Sequence, residues 1–116
     1  MYISVLKSKL HQARITGKNV EYAGSLSVDE RLMKAVGLVA HERIVVANIR
    51  NGERFETYVI PAPAESGTIG LNGAAARLGE PGDEIIVMAF ALVTPDETVT
   101  PRVAVLDERN RIVSLK

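Results

Sequence analysis

The 116-residue sequence contains no cysteine, which excludes a disulfide framework, a thiolate metal site and a cysteine nucleophile. It has no excess charge of either sign. Fourteen Lys and Arg residues balance fourteen Asp and Glu, with no block of like charge, so neither nucleic acid nor a membrane surface is expected as a partner. Long apolar runs are also missing. The longest, Ile85 to Val93, is nine residues, about half of what a helix needs to cross a bilayer. The short apolar stretch after Met1 follows no basic region and leads to no cleavage-like site, so a cytoplasmic location is expected. The two histidines, His11 and His41, stand 30 positions apart without acids at ligand spacing, and no metal site is expected. There is no glycine-rich phosphate loop and no Gly-x-Ser-x-Gly elbow.

What is present is a globular composition, 47% hydrophobic and 24% charged. It is long enough for a single domain that buries about two-thirds of its unfolded surface. Val and Ile dominate short runs bounded by Gly, Pro, Asn and Asp, which predicts a mostly β fold. Strands are expected at Ile3 to Leu6, Leu10 to Thr16, Arg43 to Ile49, Arg54 to Ile60, Thr68 to Leu71, Glu84 to Val93, Arg102 to Leu106 and Arg111 to Leu115. Asn51-Gly52 predicts a type I′ turn joining the strands on either side into a hairpin. Strand ends are expected at Pro61, Pro63 and Pro95, which lack an amide donor. Ser27 with Glu30 matches a capping box, and Val28, Leu32 and Val36 share a helical face before Gly37, so a helix is predicted over 28–36. A second helical turn is expected over 74–78. Uneven strand spacing favours a small barrel over a sandwich.

Taken singly, the polar residues have ordinary explanations. Gly24-Ser25 reads as a turn into a helix, Arg54 as a solvated charge, Tyr58 as a half-buried aromatic, and Asn72-Gly73-Ala74-Ala75 as a helix start. Taken together, they form a pattern. Lys9-Leu10-His11, Tyr22-Ala23-Gly24-Ser25, Asn51-Gly52-Glu53-Arg54-Phe55-Glu56-Thr57-Tyr58 and Asn72-Gly73-Ala74-Ala75-Ala76 occur in an order and spacing that resembles the pyruvoyl-dependent aspartate 1-decarboxylases. The resemblance extends through Pro81-Gly82-Asp83 to Pro101-Arg102-Val103, nearly the whole chain. Ala47 and Arg77 depart from it, standing where bulkier aromatic or imidazole groups occur in the family, which bears on the shape of the substrate pocket.

The resemblance implies a small six-stranded double-psi β-barrel with short helices, assembled as a homotetramer, that decarboxylates L-aspartate to β-alanine for pantothenate and coenzyme A synthesis. It implies self-cleavage between Gly24 and Ser25, leaving fragments 1–24 and 25–116. Ser25 would attack the Gly24 carbonyl, convert the amide to an ester, and become a pyruvoyl group by elimination and hydrolysis. A glycine offers no Cβ to obstruct that attack and can hold a strained backbone, and Thr57 would donate to the oxyanion on the Gly24 carbonyl. Loss of carbon dioxide from an amino acid needs an electron sink, which the self-made pyruvoyl cofactor supplies.

By the same resemblance Arg54 clamps the carboxylate that stays, as a guanidinium fork suits. Lys9 is a second positive charge near substrate, and Tyr58 protonates Cα as a general acid. Thr57, Asn72, Gly73, Ala74 and Ala75 line the substrate. Strand alternation sets Arg54 and Tyr58 on one face and Thr57 on the other. The competing reading is a non-catalytic barrel of the same kind that binds a peptide or partner and never cleaves itself.

Overall fold

The computed structural model describes residues 1–116. The elements are β1 (Ile3–Arg14), β2 (Gly17–Asn19), β3 (Ser25–Asp29), α1 (Glu30–Val36), β4 (Arg43–Asn48), β5 (Arg54–Ala62), β6 (Ile69–Asn72), a 3-10 turn (Gly73–Leu78), β7 (Glu84–Val93), β8 (Arg102–Leu106) and β9 (Ile112–Leu115). One sheet runs β2-β6-β3-β5-β4-β7-β1-β8-β9. Because β2 continues β1 through Thr16, whose N–H donates to Ile69 O at 2.8 Å, the ladder returns to the chain segment that began it. The result is a small closed barrel of six strand lines, with the β8–β9 hairpin appended to β1. No helix is long and apolar enough to cross a membrane.

Alternation along the strands fills the barrel. Leu10, Leu26, Val28, Ile44, Val46, Val59, Ile69, Leu71, Ile85 and Val87 are essentially inaccessible and belong to one core cluster. Each such side chain contributes about 1.5–3 kcal/mol when buried. Leu32, Met33 and Val36 of α1 plug one end of this core.

Several sequence expectations need correction. The two strands expected before Thr16 are one strand, β1, because a register shift between Leu6 and Ser8 absorbs the polar Lys7-Ser8-Lys9 run. Ser8 turns inward there and donates to Val36 O at 2.6 Å. Ser27 is not a helix cap. It lies within β3, paired with Gly70 and Ile60, and α1 begins two residues later than expected after the true cap, Asp29. One Asp29 oxygen accepts from Arg31 N and Glu65 N and the other from Gly67 N, all within 2.9 Å. The helix does end at Gly37, whose φ of 78° provides the left-handed cap.

Strand β5 passes through Pro61, paired with Val28, and ends at Ala62. Its pairing with β4 has ended at Tyr58, so the missing amide leaves no ladder bond unmade. The hairpin of β4 and β5 forms as expected, with Ala47 opposite Arg54. Its turn is not type I′, since only Gly52 has a positive φ, 77°. Gly52 N donates to Asn48 O at 2.9 Å, closing a longer loop over 49–52. The helical turn expected over 74–78 does form, as a 3-10 turn over Gly73–Leu78.

Candidate active site

Strand β3 brings the site together. On one side it runs antiparallel to β6, with Ser25 directly opposite Asn72. On the other it runs parallel to β5, with Leu26 beside Val59. That parallel pairing starts at Leu26 and Val59, the residues that directly follow Ser25 and Tyr58. Since Leu26, Val28 and Leu71 point into the core, the alternate residues Ser25, Ser27, Asn72 and Tyr58 share the outer face of the barrel wall.

The Ser25 side chain is nonetheless buried, at 1% exposure. Asn72, also buried, donates through Nδ2 to Ser25 Oγ at 3.0 Å and to Ser27 Oγ at 2.8 Å. With Asn72 donating, the Ser25 hydroxyl proton points away, toward Ala23 O at 3.4 Å. A cavity of about 570 Å³ opens beside this pair, lined by Tyr22, Ala23, Ser25, His41, Tyr58 and Ile60. That volume suits a small-molecule ligand. A larger cleft, about 700 Å³, lies near Asp29, Arg31, Arg109 and Asn110. Its one hydroxyl, Ser66, accepts from Thr68 N at 3.3 Å, and its buried acid Asp29 is committed to three backbone amides.

The need for glycine falls where the sequence did not put it. Gly24 has no positive φ, and a Cβ there would meet nothing within 4 Å, so a strained backbone at Gly24 is not part of the site. Gly73 carries the constraint. Its φ is 67°, and a Cβ on it would stand 2.7 Å from Gly24 Cα, 2.8 Å from Gly24 N and 2.9 Å from Tyr22 O. The turn after β6 therefore presses bare backbone against the Gly24-Ser25 segment, an approach only glycine allows. Ala75, next on that turn but one, is buried, and Ala74 is exposed.

The remaining expected residues are less concentrated. Thr57 and Tyr58 do face opposite ways, Thr57 half-buried and Tyr58 on the accessible face with Arg54. Arg54 sits at the other end of β5, exposed, opposite Ala47, and does not line the Ser25 cavity. Lys9 is half-buried on β1, paired with Met88 and Val103, three strands from β5 in the sheet. Neither Arg54 nor Lys9 has an ion-pair partner within the chain.

Asn48 anchors the turn that leads into Arg54. It accepts from Arg50 N at 2.9 Å and donates to Leu78 O at 3.2 Å and to Asp83 Oδ2 at 3.0 Å. That bond, with a second from Glu80 N at 2.9 Å, holds the Asp83 carboxyl below its ordinary pKa of 3.8.

His41 was not among the expected site residues. Its ring stands edge-on to Tyr58, centroids 6.1 Å apart and planes at 63°. A lone histidine in a loop carries no local motif, and only the folded path of the loop over β5 brings it to the cavity.

The fold and site define a small closed β-barrel with a buried serine directly after a glycine, an amide donor on the serine hydroxyl and a tight glycine against its backbone. Comparison with known proteins narrows this. A family profile described as aspartate decarboxylase matches residues 1–113. An aspartate 1-decarboxylase of Coprothermobacter proteolyticus is 58% identical over all of this chain and 97% of its own length. Those of Caldicellulosiruptor bescii and Pseudothermotoga lettingae are 54% and 53% identical, covering 99% and 97% of this chain and 91% and 97% of their own. The chain belongs to the aspartate decarboxylase family.

Proposed function

We propose that this protein is a cytoplasmic, homotetrameric aspartate 1-decarboxylase that makes its own pyruvoyl cofactor from Ser25 and converts L-aspartate to β-alanine and carbon dioxide, supplying pantothenate and coenzyme A synthesis. The observation that carries the reading is the buried Ser25 hydroxyl held by Asn72 next to a Gly24 backbone that Gly73 packs against.

Processing begins when Ser25 Oγ bonds to the Gly24 carbonyl carbon and the Gly24–Ser25 amide C–N bond breaks. The oxyanion formed on the way is assigned the Thr57 hydroxyl as its donor, on β5 next to Tyr58. Loss of the Ser25 α-proton then expels the Gly24 carboxylate. Hydrolysis of the resulting enamine releases ammonia, leaving chains of 24 and 92 residues. Ser25 Oγ leaves with the Gly24 carboxylate, which would free the Asn72 Nδ2 donor, still anchored on Ser27 Oγ, for the new ketone oxygen on Cα of position 25.

Once formed, the pyruvoyl group supplies the electron sink for the charge left at Cα when carbon dioxide departs. The chain's own residues do the rest. Arg54, which lies outside the Ser25 cavity of its own chain, is assigned by the family resemblance to clamp the retained carboxylate with its planar fork. Tyr58, in the cavity with Ser25, donates its phenolic proton to Cα. Asn72 and the turn Gly73-Ala74-Ala75 fix the substrate against β6. Lys9, three strands away in the same chain, is assigned to the substrate of a neighbouring copy. Association is supported by the exposed apolar side chains Phe90 and Leu92, which share one face of β7.

The test is release of carbon dioxide and β-alanine in equal amounts from aspartate by purified protein with no added cofactor, abolished by prior treatment with hydroxylamine. Absence of turnover, or turnover that depends on added pyridoxal phosphate, contradicts the reading.

A further inference from the structure

We propose that His41 is a positioning residue for Tyr58, an inference that rests on Tyr58 being the proton donor. His41 is one of only four non-glycine residues with a positive φ, 73°. Histidine adopts that region more readily than most side chains, but it holds there only because the surroundings impose it. The imposing contacts are on both sides. His41 N donates to Val59 O at 2.7 Å, and Val59 N donates to Glu42 O at 3.0 Å, so the loop is bonded to the residue that follows Tyr58. Glu42 accepts from Val39 N at 3.1 Å and pairs with Lys7 at 3.1 Å. Lys7 in turn donates to Gly37 O at 2.6 Å. The loop is thus tied to β5 and, through Lys7, to β1.

The consequence of this anchoring is to set the His41 imidazole edge-on to the Tyr58 ring, at a separation within the favourable range for aromatic pairs. Tyr58 is on the accessible outer face, 37% exposed, with no hydrophobic core around it to fix its ring. His41 is the aromatic neighbour that fixes it, and both line the cavity that holds Ser25. A phenol that must deliver a proton to one carbon atom gains from losing its rotational freedom, and that gain appears in the chemical step rather than in substrate binding.

The test is His41→Asn, which keeps a residue tolerant of the left-handed backbone and removes the ring. The variant is expected to mature fully at Gly24 by intact mass and to melt with the parent. It is expected to keep KM for aspartate within twofold and to lose about two- to tenfold in kcat, the worth of one aromatic pair. In a Tyr58→Phe background the same substitution is expected to change kcat no further, because the hydroxyl it positions is gone. An unchanged kcat in His41→Asn, a loss confined to KM, a loss accounted for by incomplete maturation, or an equal loss in the Tyr58→Phe background overturns the role of His41. Failure of the underlying reading has a different signature: matured Tyr58→Phe alone turning over at the parental rate removes the proton donor, and the His41 role with it.

Discussion

Gly73 packs so closely on Gly24 that a β-carbon on the first would stand 2.7 Å from the Cα of the second. The contact joins the turn after β6 to the peptide proposed for cleavage, and it accounts for glycine at 73 twice over, since the φ of 67° disfavours any side chain as well. Gly73→Ala is expected to slow self-cleavage at least tenfold, so that unprocessed chain accumulates on a denaturing gel. Far-ultraviolet circular dichroism is expected to stay that of the parent, with a loss of stability of about 1–2 kcal/mol from the left-handed backbone. Cleavage at the parental rate in this variant means that the packing does not position the scissile segment.

Arg54 lies outside the Ser25 cavity, on the accessible face of β5 that also carries Tyr58. Arg54→Lys keeps the charge and loses the planar fork, so it is expected to mature normally and to lose at least tenfold in kcat/KM for aspartate. Wild-type kinetics in this variant remove Arg54 from substrate binding.

Asp83 supplies a pH dependence of stability. Its folded pKa lies below the ordinary 3.8, chiefly through the bond from Asn48 and then that from Glu80 N. A depressed acid stabilises the fold fully above its unfolded pKa, and that contribution is lost as the pH falls below about 3.8 and through the folded value. Asn48→Ala is expected to cost about 1–3 kcal/mol at neutral pH, read from the urea midpoint. The difference from the parent is expected to narrow as the pH is lowered below 3.8. A difference that stays constant across that window assigns the loss to the turn alone and not to the carboxylate.

Much of the barrel was legible locally. Strands β7 and β8 follow from their Val and Ile runs with the bounds expected, and the Asn51-Gly52 hairpin forms even though its turn type differs. Strand β3 was hidden because Ser27 and Glu30 match the spacing of a capping box. The true cap at Asp29 is fixed by Glu65 and Gly67, 36 and 38 positions away, which no local pattern encodes. The site divides the same way. Ser25, Asn72, Gly73 and Tyr58 were recognisable as motif residues, while the bond from Asn72 to Ser25 spans 47 positions. The glycine constraint at 73 rather than 24, and the place of His41 beside Tyr58, exist only once the strands have been laid side by side.

Ser25 is proposed not to remain a serine, and the intact mass of the purified protein reads this without any assay of turnover. Two chains, of 24 and 92 residues, are expected. The larger is expected to begin with a ketone that adds hydroxylamine, and Ser25→Ala is expected to give one uncleaved chain without activity. A fully active preparation consisting only of the unmodified 116-residue chain contradicts it.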